Sequence, residues 1–208
     1  MTSREPRREP ILEAMIVVAG RKGYAAASVA DVVAEAHASR ATFYKYFDHK
    51  RDCFLAAYEL ATERIIATAV KGCQQADRWP ATARGGLAAI VDLFARDPAL
   101  ARVAVVEVAA AGDEARRRHW TAIDRLARLL DRGRPVRRPP LPPNTASMAV
   151  GGVAALISEH LRGSRVDGLP RLLPELEFAL LVPFVGPGAA AGEARSAAPQ
   201  PRSGASNL

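Results

Sequence analysis

The chain has 208 residues, 49% of them hydrophobic with alanine dominant, a net charge of +7 and two cysteines, enough for a small unit plus one core of ordinary size. Its longest apolar runs, near Met148–Ile157 and Phe178–Val185, are too short to span a bilayer, and no charged-then-apolar leader opens the sequence, so a soluble cytoplasmic protein is expected. Few stretches alternate as strands do, and an all-α fold is favoured.

Thr2–Glu9 reads as a short charged arm, with 1–9 flexible. Pro10 then suits the first turn of a helix to about Lys22, with Ile11, Met15 and Val18 as its buried stripe and Gly23 as its stop. Val29, Val32, Val33 and Ala36 follow at i, i+3, i+4 and i+7 on one face of a short helix. Ser28 caps that helix and Asp31 stands in its first turn. Ser39 caps another in which Phe43 and Phe47 share a face. Two short helices joined by so tight a turn form a helix-turn-helix, whose second helix enters a DNA major groove. Arg40, Thr42, Lys45 and Tyr46 point away from the phenylalanine stripe, Tyr44 flanks it and Lys50 lies just beyond. Arginine and lysine donate to guanine edges, threonine meets a base or a thymine methyl, and tyrosines or a terminal lysine suit phosphates. An ordinary helical hairpin with a solvated polar face has the same spacing; the aromatic-rich Phe43-Tyr44-Lys45-Tyr46-Phe47 favours DNA.

Residues 11–58, through Lys-Gly-Tyr, Ser-Val-Ala-Asp-Val and Ser-Arg-Ala-Thr-Phe-Tyr-Lys-Tyr-Phe to the Lys50 helix, resemble the DNA-binding domain of TetR-type transcriptional regulators. The resemblance implies an all-helical homodimer, with a three-helix DNA-binding domain followed by a larger effector-binding and dimerisation domain. It carries base reading onto Arg40, Thr42 and Lys45 and phosphate contact onto Tyr44, Tyr46 and Lys50, with the cap residues Ser28 and Ser39 completing the DNA-binding set. Two positions depart from the family pattern: Ala27 replaces a backbone-contacting threonine, and His37 stands where the turn usually has glycine. Histidine is among the few other residues that tolerate positive φ.

From Lys50 a long helix is expected to about Gln75, with Phe54, Tyr58, Ala61 and Ile65 along one side; it could act as a lever from the ligand to the reading heads or merely fill the core. Cys53 and Cys73 lie on it roughly 30 Å apart at ~1.5 Å per residue, too far for a disulfide. Further helices are expected over about 81–95, from Asp97-Pro98 to the break at Gly112-Asp113, and onward to about Arg132. The net charge concentrates in this last stretch: residues 114–138 carry +6, residues 1–58 only +2. DNA affinity must therefore rest on local placement doubled by dimerisation, and Arg116-Arg117-Arg118 is read as a solvated helix start rather than an anion site. A proline-rich linker, 134–143, precedes a helix from Asn144 or Thr145 through Leu161 and a last one over about 171–185; 187–208 is read as a disordered tail.

These segments give a DNA-binding domain at 10–50 and an effector and dimer domain at 51–186. The expected function is a ligand-responsive regulator, a repressor released from a palindromic double-stranded operator by a small apolar effector. Phe94, Val103, Val106, Trp120, Ile123 and Met148 are expected nearest that effector, with Arg102 and His119 at its polar end. Gly152, Leu156, Leu176 and Leu180 are expected in a two-fold four-helix dimer interface. No cofactor or metal is expected, since neither Cys-x-x-Cys spacing nor clustered histidines occur, and no catalytic grouping supports an enzyme. A DNA-binding structural protein without effector is the other alternative; the size of the second domain argues against it.

Overall fold

The computed structural model describes residues 8–135, 140–163 and 166–196. Among them are ten α-helices and no strand: α1 (Arg8–Lys22), α2 (Val29–Glu35), α3 (Arg40–Tyr46), α4 (Lys50–Cys73), α5 (Trp79–Arg96), α6 (Pro98–Val105), α7 (Asp113–Asp131), α8 (Thr145–Arg162), α9 (Leu173–Val185) and α10 (Pro187–Ser196). Most of the expected 1–9 arm, part of the proline-rich linker and residues 197–208 lie outside the described residues.

Local chemistry starts and stops these helices where the sequence signals. Gly23, at φ 83°, takes the left-handed conformation after α1, and its N–H bonds Ala19 O at 2.9 Å. At α2, Ser28 accepts from the Asp31 N–H while the Asp31 carboxylate accepts from the Ser28 N–H, a reciprocal capping box. Lys22 adds a bond to Asp31, and these partners pull its pKa down to about 2. His37 sits at φ 49°, the positive value foreseen for the turn. Asp97 accepts from Leu100 N–H, and Pro98 opens α6.

Two boundaries differ from expectation. The helix beginning at Pro98 gives way after Val105 to a 3-10 segment, Glu107–Ala111, where Glu107 is buried against Tyr24 and Arg102. The tail reading is corrected over 187–196: α10 packs on α9, burying Ala190 and Ala194, and Glu193 meets Arg78 and Arg84. Alanines at 190 and 194 share one helical face, so a segment without large side chains still has a stripe to bury.

Helices α1 to α3 enclose Ile11, Met15, Val32 and Phe43, all essentially without solvent contact. The same core continues through Phe54 and Tyr58 into the rest of the chain. Helix α4, about 36 Å long at ~1.5 Å per residue, runs from α3 into the larger unit and packs along α5. There the backbones come close through glycines: a Cβ at Gly72 would lie 2.3 Å from Gly85 O. Cys53 and Cys73 are both free. The arginine run is tied to acids, Arg116 to Asp113, Arg117 to Glu114, and Arg118 to both Glu114 and Glu59 on α4. Among the described residues no helix is long and apolar enough to cross a membrane.

Candidate DNA-binding face and ligand cavity

Helix α3 is held by its apolar side and offers its polar side. Phe43 is fully buried and Phe47 nearly so, their rings 5.5 Å apart. Ser39 accepts from Thr42 N–H at 3.0 Å, and the two hydroxyls also lie 3.0 Å apart, which orients Thr42 along the first turn. Arg40, Tyr44 and Lys45 are exposed, Tyr44 by 54%; Thr42 and Tyr46 are half-buried. Lys45 Nζ stands 5.8 Å from the Tyr46 ring centroid. One short helix thus presents two cations, a hydroxyl and two phenols on a rigid base, the arrangement that positions on phosphates and reads base edges.

Lys50 departs from its expected role. Its ammonium donates to the carbonyls of Tyr24, Ala25 and Ala27 at 2.9, 3.3 and 2.8 Å and lies over the Tyr24 ring. It closes the loop between α1 and α2 from inside, and its three donors already have acceptors, so phosphate binding is not what this geometry offers. Nearby, Asp48, His49 and Asp52 bring ligand-type atoms within 4.8 Å of one another. They sit at the surface, with His49 Nδ1 2.7 Å from Asp52 Oδ2, which reads as a contact at the start of α4.

A cavity of about 120 Å³ lies among α4, α5, α6, α7, α8 and α9. Of the residues expected near an effector, Phe94, His119 and Ile123 line it, together with Ile65, Leu87, Ile90, Leu126 and Val153. Five of the expected residues do not. Trp120 and Met148 are 61% and 73% exposed, on the outer sides of α7 and α8. The α7 stripe that faces inward is Ala115, Ala122, Ile123, Ala127 and Leu130, so Trp120 belongs to the other flank. Val103 packs in the core, Val106 is half-buried beyond the end of α6, and Arg102 donates to Leu161 O and Glu107 instead. In the expected dimer set, Gly152 and Leu156 are exposed, whereas Leu176 and Leu180 are buried and Leu180 lines the cavity.

The cavity's polar groups are Tyr58, Thr62 and His119, of which only His119 was expected there. Tyr58 Oη lies 3.1 Å from His119 Nδ1. Burial pushes the Tyr58 phenol up to about 12 and lowers the His119 imidazole below its usual range, so both are neutral near pH 7. A hydroxyl pair at i, i+4 on an otherwise apolar stripe is the sequence signal that would have found Tyr58 and Thr62.

The cavity and the DNA-binding unit share helices. Ala104 and Val105 of α6 line the cavity, while Ala99 at its start meets Gly20 of α1, where a Cβ would come within 2.5 Å of Ala99 Cα. Just past α6, the Glu107 carboxylate accepts from Tyr24 N–H at 2.8 Å and from Arg102 at 3.1 Å. Sequence reading missed Glu107, because a single acid in an apolar run has no periodicity to mark it.

Residues 11–57 match the model of the family described as bacterial regulatory proteins, tetR family. Three solved structures share the fold. The fatty acid degradation regulator FadR from Bacillus halodurans is 18% identical, with 89% of this chain and 98% of that chain covered and a TM-score of 0.73. FadR from Bacillus subtilis, solved in complex with stearoyl-CoA, is 17% identical over 86% and 99% of the two chains, with a TM-score of 0.69. SmeT, the repressor of the Stenotrophomonas maltophilia multidrug efflux pump SmeDEF, is 18% identical over 86% and 90%, with a TM-score of 0.63. No curated protein matches the chain by sequence. At these identities the structural likenesses speak for the fold.

Proposed function

This chain is a TetR-family transcriptional regulator, and on that premise we propose that it is a cytoplasmic homodimeric repressor released from a palindromic operator by a small, mainly apolar effector. The family acts by binding DNA rather than by catalysis. The observation that carries the reading is the Ser39-capped α3, which projects Arg40, Thr42, Tyr44 and Lys45 from a fully buried Phe43.

An effector site is supported by the apolar cavity, whose walls come from α4 and α6, the helices that also pack on α1. Filling the cavity biases the reading heads only if the ligand binds one arrangement of these helices better than the other. The stearoyl-CoA complex of the Bacillus subtilis FadR supports an aliphatic occupant. A dimer is supported by the exposed Met148, Gly152 and Leu156 of α8 and Phe178 of α9, a ridge of apolar and small residues on the outer side of the cavity.

Selection of binding sites from random DNA tests the reading. An inverted repeat should emerge, and hydrophobic compounds should release the protein from it. Recovery of no preferred sequence, or release by metal ions and strongly polar compounds alone, would overturn it.

A further inference from the structure

The cavity has a shape as well as an apolar lining. On α4 its wall is Tyr58, Thr62, Ile65, Ile66, Ala69 and Cys73, one stripe at helical spacing that runs for about 22 Å at ~1.5 Å per residue. Helix α7 lies alongside in the same direction, since Arg118 reaches Glu59 and Arg125 reaches Glu63. Its own lining stripe, from His119 to Leu130, covers about 16 Å at the same rise. Helix α5 packs back along α4, with Gly86 against Cys73 and Ala69, and lines the cavity from Ala83 to Phe94. One end therefore lies at Tyr58 and His119, whose polar atoms are 3.1 Å apart, and the other at Cys73, Gly86 and Leu130.

A volume of about 120 Å³ drawn out along that length is a narrow channel. Its walls fix the width. Helices α4 and α5 meet backbone to backbone at Gly72 and Gly85, where a Cβ would lie 2.3 Å from a carbonyl oxygen, and the two ion pairs tie α7 to α4. An unbranched chain fills such a space one methylene after another and touches wall on every side, whereas a fused ring system requires the helices to part. Among the described residues that line it there is no Lys, Arg, Asp or Glu. An unpaired charge is strongly disfavoured there, so the part of the ligand inside the channel is hydrocarbon.

We propose that the cavity takes a single unbranched aliphatic chain, extended along α4, and selects its occupant by chain length and against fused rings. The inference rests on the effector site proposed above and adds the shape of the ligand's hydrocarbon. Ala83 and Ala122 are then specificity-determining residues. Both line the channel, Ala83 one turn before Gly86 toward the Cys73 end and Ala122 one turn after His119 at the other. A larger side chain at either position shortens the space, whichever way round the ligand lies.

The full-length protein is titrated with 1-hexanol, 1-octanol and 1-decanol, and with the ring alcohols 1-adamantanol and decahydro-2-naphthol. All five carry one hydroxyl, so only the shape of the hydrocarbon varies. Affinity is read by calorimetry and by the rise in melting temperature. Along the linear series it should climb about fourfold for each methylene buried. Chains and rings are compared after dividing each affinity by the probe's water-to-octanol partition, which removes differences in hydrophobicity alone. The linear alcohols should then bind about tenfold more tightly, because a ring system bears the cost of overpacking. Ala83→Leu and Ala122→Leu should each weaken 1-decanol about tenfold for the same reason and leave 1-hexanol unchanged.

Ring alcohols that match the linear ones after this correction overturn the proposal. So does a loss of affinity in the two variants that is equal for 1-hexanol and 1-decanol. The comparison of chains with rings uses the wild type alone and stands whether or not the variants fold. Either of these results leaves the cavity as the effector site. If none of the five probes binds, the proposal fails and the effector part of the proposed function falls with it. Operator binding of the unliganded protein, measured on the same preparation, is unaffected by that outcome and tests the DNA reading separately.

Discussion

At the scale of single residues, the proposed DNA-binding face divides into expected readers and holders. Lys45 is exposed beside Tyr46 on α3, with a reach suited to a base edge. Lys45→Ala should relax discrimination at one position in each half-site by ~1–3 kcal/mol, measured by site selection on the variant; an unchanged sequence preference would remove Lys45 from the readers. Lys50 is a holder, because its ammonium ties three carbonyls of the loop between α1 and α2. Lys50→Ala should lower unfolding free energy by ~1–3 kcal/mol, the range for hydrogen bonds to a charged group, in denaturant titration. The slope of operator affinity against log salt should stay the same, whereas a lost phosphate contact would flatten it by about 0.9. His119 gives a pH signature. Burial lowers its folded pKa below the usual 6.5, so the unfolded chain takes up the proton first as pH falls. Its contribution is complete above about pH 6.5 and is lost as pH falls from there through the folded value. His119→Gln should therefore lose less stability than the wild type between pH 7 and 5.

At the scale of elements, helix contacts depend on small residues at a few crossings. Gly72 of α4 meets Gly85 of α5 backbone to backbone, at the end of the cavity marked by Cys73 and Gly86. Gly72→Ala places a methyl 2.3 Å from a carbonyl oxygen, so α4 and α5 must part. The gain in helix propensity, about 1 kcal/mol for Gly to Ala, works against an overpacking cost of ~1–3 kcal/mol. Thermal unfolding should show net destabilisation, while Gly152→Ala, where a Cβ meets nothing within 4 Å in the monomer, should show the propensity gain unless a partner subunit fills that space. Helix α10 matters at this scale too. Its Glu193 joins Arg84, which also faces the buried Glu177 at 3.5 Å. Desolvation raises the Glu177 pKa, with Arg84 opposing.

At the scale of the whole molecule, the proposed dimer must cover the outer face of α8 and α9. Leu156 is 50% exposed and Phe178 37% exposed, and such side chains gain by leaving water when two copies meet. Leu156→Arg should shift sedimentation toward monomer and weaken operator binding in parallel, since each half-site then binds alone. Leu180→Arg would be uninformative, because Leu180 is buried at the cavity and its replacement disrupts the fold itself. A Leu156→Arg protein that remains dimeric would move the interface elsewhere.

Local signals were enough for the all-α class, the helix-turn-helix and its caps: Ser28 with Asp31, Ser39 with Thr42, Gly23 and His37 at positive φ, and Asp97-Pro98 all act within a few residues of themselves. The face of α3 was legible for the same reason, since a 3.6-residue period separates Phe43 and Phe47 from Arg40, Tyr44 and Lys45. Periodicity says that a residue lies on an apolar stripe, but not which neighbour covers the stripe. For that reason Trp120 and Met148, expected inside, are exposed, while Leu176 and Leu180, expected at a subunit interface, are buried within the subunit. The roles of Lys50, Glu107 and the Tyr58–His119 pair depend on partners 23 to 83 residues away in the chain. Such contacts exist only once α1, α4, α6 and α7 have packed, because a polar side chain's role is set by the group that satisfies it on burial.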